Sequence, residues 1–99
     1  MNTPYHHQVI FCLKAGTSGP AVEAFLTDAQ RILTTIPGVR NFQVLKQVSP
    51  KNDYDFGFIM EFAHRGDYRA YDAHPDHTAF VQGRWVPEVS RFLEIDFES

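Results

Sequence analysis

From Val22 to Ile36 the apolar residues Val22, Phe25, Leu26, Ala29, Ile32, Leu33 and Ile36 recur at steps of three, one, three, three, one and three. Residues so spaced fall side by side only on an α-helix, so the spacing predicts an amphipathic helix of about four turns. Pro37-Gly38 ends it, because proline cannot continue the hydrogen-bond ladder and glycine permits the reversal. At the other end, Pro20 suits the first helical position and Ser18 stands ahead of it as a capping residue. A helix with one apolar face needs a second layer to lie on.

The flanking segments supply that layer. In Tyr5 to Lys14, His7, Val9, Phe11 and Leu13 alternate with His6, Gln8, Ile10 and Cys12. Period two with aromatic and β-branched residues reads as a strand. Arg40 to Val48 is a weaker strand, and Ser49-Pro50-Lys51-Asn52-Asp53 is a loop. Tyr54 to Phe62 is a strong strand, with Tyr54, Phe56, Phe58, Met60 and Phe62 on one side and Asp55, Gly57, Ile59 and Glu61 on the other. Asp67 is placed to cap a short helix through Tyr68, Ala70 and Tyr71, which His74-Pro75 interrupts. A further turn or helix runs from Pro75 to Gly83. Pro87 to Phe97 closes as a strand, with Val89, Leu93, Ile95 and Phe97 on one face.

The order is β-α-β-β-α-β, and residues 1–99 read as one domain. That order belongs to the α+β class: a ferredoxin-like, four-stranded antiparallel sheet with helices on one face. The other sheet face is mixed in character and fits contact with a second copy across a two-fold axis, which predicts a homodimer.

Composition excludes several functions. Nine basic and twelve acidic residues leave a net charge of −3, and the three lysines (Lys14, Lys46, Lys51) are scattered, so no nucleic-acid footprint exists. No apolar run approaches a membrane span. The N-terminus lacks the order of a secretory signal, and Cys12, alone, can form neither an intrachain disulfide nor a cysteine-based zinc site. A soluble, reducing compartment, the cytoplasm, is the expectation. Neither Gly-x-Gly-x-x-Gly, a P-loop nor Gly-x-Ser-x-Gly occurs, so no nucleotide cofactor or serine-hydrolase chemistry is expected.

The densest polar constellation is Tyr71-Asp72-Ala73-His74-Pro75-Asp76-His77, followed by Phe80. His7 lies in register with Val9 and Phe11 on the apolar side of the first strand, where an imidazole needs a partner to offset desolvation. The second helix packs on that side, so Tyr71 and His77 are the polar groups that topology brings nearest. His7, His74 and His77 could share a metal, but Pro75 disturbs their spacing and no carboxylate orienter is evident, so metal catalysis is not expected. His6 and His64 read as surface or interface residues, Cys12 as packing at the dimer interface, and Trp85 as a buried aromatic.

These motifs together resemble the stress-responsive A/B barrel (Dabb) family: the opening His-x-Val-x-Phe-x-Leu-Lys strand, the Ile-Pro-Gly helix end, Tyr-Asp-Phe-Gly-Phe-Ile-Met-Glu-Phe, Tyr-x-x-His-Pro-x-His and a closing Asp-Phe. The likeness runs from His7 to Phe97. It implies a dimeric α+β barrel. The family includes a plant polyketide cyclase that closes a linear tetraketide-CoA by intramolecular aldol condensation. What the likeness implies is that Tyr71 and His77 are its acid–base pair and His7 a further pocket histidine. Val9, Phe11, Phe25, Phe56, His74 and Phe80 would line the substrate pocket. Phe56 stands where the cyclase carries another pocket histidine, which sets this chain apart from the plant substrate.

The expected function is therefore a cofactor-independent acid–base enzyme acting on a small apolar carbonyl compound, by aldol, lyase or isomerase chemistry. The alternative is a non-enzymatic dimer that binds a small molecule or serves as a scaffold in the stress response. Haem or quinone oxygenase chemistry, found on other dimeric α+β barrels, is a third reading.

Overall fold

In the computed structural model, which describes residues 3–99, the elements run β1 (Tyr5–Leu13), α1 (Gly19–Leu33), β2 (Arg40–Lys46), β3 (Phe56–Phe62), α2 (Arg65–Ala73), α3 (Pro75–Phe80), α4 (Val86–Glu88) and β4 (Val89–Glu98), with a π-helical turn at Val81–Trp85 between α3 and α4. The strands form one antiparallel sheet in the order β2-β3-β1-β4. This is the ferredoxin-like arrangement that the strand order predicted. β1 is central, and its odd residues Tyr5, His7, Val9, Phe11 and Leu13 are all buried under the helices.

α1 begins as its sequence demands: the Ser18 hydroxyl accepts from the Ala21 N–H at 3.2 Å, and Pro20 sits in the first turn. Its end differs from the apolar period. The helix stops at Leu33, and the Thr34 and Thr35 hydroxyls donate back to the Gln30 and Ile32 carbonyls. Ile36 still reaches the core, carried there by the turn rather than by the helix. Gly38 then takes a φ of +93°, which a side chain would strain.

The core is aromatic. Phe11, Phe25 and Phe58 are essentially sealed from solvent, and their rings lie 4.7 to 6.4 Å apart. Burying each such ring contributes roughly 1.5–3 kcal/mol. On β3, Phe58, Met60 and Phe62 face the same core, with Gly57 and Ile59 turned to the far face.

Several boundaries depart from expectation for identifiable reasons. β2 ends at Lys46 and β3 begins at Phe56, because Gln47 closes the loop itself: its N–H donates to the Asp55 carbonyl and its side chain to the Tyr54 carbonyl. His64, not Asp67, occupies the N-cap of α2, and Asp67 falls in the first turn, where its charge suits the helix dipole. Pro87 is helical, so β4 starts at Val89. The helical run beginning at Pro75 does not stop near Gly83 but continues through the π-helical turn to Glu88. Arg84 pins that run down: its guanidinium bonds Glu88, donates to Asp28 of α1 at 2.5 Å and lies over the Phe25 ring.

The face assignment of β4 also changes. β1 pairs with β4 as Cys12↔Arg91 and then Leu13↔Val89, so Ser90 bulges out of the ladder. Its hydroxyl donates to the Cys12 and Leu13 carbonyls. The bulge puts Val89 on the helix side with Leu13, apart from Leu93, Ile95 and Phe97. Those three pair with Ile10, Gln8 and His6 on the uncovered face. Phe92, Glu94 and Asp96 consequently point toward the helices.

Candidate functional site

A cavity of about 240 Å³ lies between the β1/β4 edge of the sheet and the helices α2 and α3. β1 contributes His7 and Val9, α2 contributes Tyr71 and Asp72, α3 contributes His77 and Phe80, and β4 contributes Phe92 and Glu94. Leu33, Phe58, Met60, Val81 and Trp85 complete an apolar wall. The π-helical turn matters here, since Val81 and Trp85 stand at its two ends and both face the cavity.

The strand pairing places Asp96 directly across from His7. Asp96 Oδ1 lies 2.5 Å from His7 Nδ1, and its Oδ2 accepts from the Tyr5 hydroxyl at 2.7 Å. Contact with a carboxylate assigns the imidazole proton to Nδ1, so His7 Nε2 presents a lone pair. Tyr68 packs on both partners, its ring 4.7 Å from Tyr5 and 4.9 Å from His7. The dyad is thereby held from the side as well as the end. Burial, aided by the Asp96 bond, pushes the Tyr5 phenol up to about 12, so it stays a donor.

The second pair belongs to the helices. The Tyr71 and His77 rings lie 4.6 Å apart. His74 ends α2 in an extended conformation and caps α3 by accepting the Asp76 N–H on its own Nδ1 at 3.1 Å. That break turns α3 so that His77 folds back over Tyr71. His77 Nδ1 lies 3.0 Å from the Asp72 carbonyl and donates to it, which again leaves Nε2 free. The His77 ring is 19% exposed, and burial holds its basicity below the ordinary imidazole value of 6.5, with Asp72 partly opposing. It is therefore neutral at pH 7.

Tyr71 is almost wholly buried, and burial raises its phenol well above the usual value of 10.0, with Tyr68, Asp72 and Glu94 adding to the effect. Its hydroxyl makes no hydrogen bond among the described residues, and no fully enclosed side-chain nitrogen or oxygen there lacks a partner. The hydroxyl therefore opens into the cavity. The arrangement brings together the imidazoles of His7 and His77 and one protonated phenol, with apolar walls around them. Such a set can take a proton from carbon and donate to the oxygen on which charge develops.

Of the residues singled out from the sequence, His7, Val9, Tyr71, His77 and Phe80 line this cavity. Phe11 and Phe25 do not: both are fully enclosed in the core beneath it. Phe56 faces a different recess at the opposite end of the sheet, about 340 Å³ and lined also by Lys14, Lys46 and Asp55. That recess is larger but contains no imidazole or phenol. His74 is spent on capping α3. Cys12 is buried, and its sulfur bonds the Asp53 carbonyl.

Sequence reasoning missed Asp96, Glu94 and Phe92. The signal was present in β4, where Phe92, Glu94, Asp96 and Glu98 alternate with Leu93, Ile95 and Phe97. Directing the apolar set inward hid the carboxylate that orients His7. Among the described residues no three His, Cys, Asp or Glu side chains are grouped to hold a metal ion. No described helix is long and apolar enough to cross a membrane.

Comparison with known proteins places this architecture. No curated protein sequence matches the chain. A Dabb family protein with a ferredoxin-like fold from Mesorhizobium loti is 51% identical, covers 97% of this chain and 96% of its own, and superposes with a TM-score of 0.93. A dimeric ferredoxin-like protein from Thermobifida fusca is 21% identical over 100% of this chain and 93% of its own, with a TM-score of 0.83. The hydroxynitrile lyase of Passiflora edulis is 12% identical over 100% of this chain and 95% of its own, with a TM-score of 0.87. These two share the fold. The family model of the stress-responsive A/B barrel domain matches residues 5–99, and the chain belongs to that family.

Proposed function

We propose that this protein is a cofactor-independent acid–base enzyme acting on a small carbonyl compound with an apolar body. The observation that carries the reading is the convergence of His77, Tyr71 and the Asp96-oriented His7 on one apolar-walled cavity. His77 Nε2 takes a proton from the carbon next to the carbonyl. The C–H electron pair moves into the new C=C bond and the carbonyl electrons onto oxygen, where Tyr71 donates a hydrogen bond. The enolate carbon then either attacks a second carbonyl, forming a C–C bond as in an aldol closure, or regains a proton from an imidazolium. His7 serves as the second proton carrier, with Asp96 fixing the direction of its ring.

The fold is also that of the Passiflora edulis hydroxynitrile lyase, but a fold does not transfer an activity, so the reading rests on the three side chains. Phe56 lines the recess at the other end of the sheet rather than this cavity, so the plant cyclase substrate is not carried over.

The working unit is a homodimer formed through the uncovered sheet face. Leu45, Leu93 and Phe97 are 41%, 47% and 53% exposed there, beside Ile10, Ile59 and Ile95. Apolar residues in that number on one face call for a cover, and the Thermobifida fusca relative is dimeric.

The test is deuterium exchange at the α-carbon of acetophenone in heavy water, followed by NMR. Wild-type protein should accelerate exchange and His77→Ala should not. Saturable binding without exchange would replace the enzyme with a small-molecule-binding dimer; neither binding nor exchange would leave a scaffold.

A further inference from the structure

The charge of the cavity narrows the substrate class within the reading just given, on which this inference rests. Two carboxylates, Asp72 and Glu94, line the cavity, and none of the chain's nine lysine and arginine residues does. Two of the three lysines, Lys14 and Lys46, instead line the recess at the far end of the sheet. Glu94 stands across from Val9 on the helix-facing side of β4, and its side chain forms no hydrogen bond or ion pair among the described residues. Its strand neighbours Leu93 and Ile95 carry apolar side chains to the opposite face.

An enolate forming beside two carboxylates is disfavoured by their field, and only the imidazolium made in the same step offsets it. The same field reaches Tyr71 and His77, both of which respond to Asp72 and Glu94. Such an acid–base site gains further when the substrate supplies a positive charge. A substrate ammonium would pair with the carboxylates and make the adjacent C–H more acidic. Its flanks would meet the aromatic faces of Trp85 and Phe92, whose rings pack edge to face at 5.5 Å.

We infer that the cavity selects an amine-bearing, apolar-bodied carbonyl compound and rejects carboxylates, with Glu94 and Asp72 as its specificity determinants.

Binding of 2-phenylethylamine, 2-phenylethanol and phenylacetate to the full chain tests this near neutral pH. Trp85 is the one tryptophan and lines the cavity, so its indole N–H resonance reports occupancy. The amine should saturate that shift at a concentration roughly five- to tenfold below the alcohol, as expected for one or two screened charge pairs, and phenylacetate should give no saturable shift. Glu94→Gln and Asp72→Asn should each erode the amine preference, and together they should admit phenylacetate. Phenylacetate binding wild type as tightly as the amine, or none of the three moving the resonance, overturns the inference. Amine preference in a protein that catalyses no isotope exchange would sink the enzymatic reading while sustaining the charge selection.

Discussion

Asp96 faces His7 across the sheet, one carboxylate oxygen 2.5 Å from the imidazole Nδ1 and the other holding Tyr5 at 2.7 Å. Both carboxylate oxygens are thus used to fix the direction in which His7 presents its free nitrogen. Asp96→Asn keeps the shape but lets the amide donate, favouring the wrong tautomer. It should slow α-carbon exchange by at least about tenfold with little change in ligand affinity. Nitrogen NMR of the imidazoles should show the His7 proton move from Nδ1 to Nε2.

Tyr71→Phe removes a hydroxyl that makes no hydrogen bond among the described residues. Stability should change by less than about 1 kcal/mol, since no partner is left orphaned. Exchange should fall by roughly a hundredfold or more. Comparable loss of stability in denaturant unfolding would show the hydroxyl to be a structural group instead.

The depressed basicity of His77 sets a pH direction. Below 6.5 the unfolded chain binds this proton more readily than the folded one, so stability is full above that value and is lost as pH falls toward the folded value. Activity should follow the neutral imidazole, holding above pH 6.5 and dropping in acid. His77→Asn should flatten this part of the stability profile, measured as urea midpoints across pH.

Phe25 is enclosed between Phe11, Phe58, Phe80 and the Arg84 guanidinium. Phe25→Ala should cost about 3–5 kcal/mol in denaturant unfolding, by lost transfer energy and a cavity that the ring cluster cannot close.

Leu93→Lys places a charge on the uncovered sheet face without touching the cavity. Sedimentation should show a dimer for wild type and a monomer for the variant, with the secondary structure unchanged. A monomeric wild type would remove the barrel assembly from the account.

The elements were legible because their periods are clean. Phe56, Phe58, Met60 and Phe62 can serve only a half-buried strand, and Val22 to Leu33 only a helix. The imidazoles were legible for a different reason: His7 shares the parity of Val9 and Phe11, and Pro75 makes His74 a break that redirects His77. Asp96 and Glu94 were not. β4 carries an apolar set and an acidic set in alternation, and hydrophobicity alone directs the apolar set inward. β4 does the reverse, since its outward side is the more apolar and its cavity side the more charged. Pairing, not composition, decides this, and pairing depends on a bulge that has no sequence signature of its own. Phe11 and Phe25 show the converse error: aromatic residues near a site are as readily its foundation as its wall.

The bulge at Ser90 has a consequence for how such a chain tolerates insertions. Strand parity is a one-codon matter, and an uncompensated codon in β4 would turn Asp96 outward and bring Leu93 and Phe97 over the cavity. A codon gained or lost beside Ser90 can instead be taken up by the existing kink, between the Arg84 anchor and the acidic edge. Length variation among sister sequences should therefore gather at that joint, leaving the alignment of Asp96 with His7 intact.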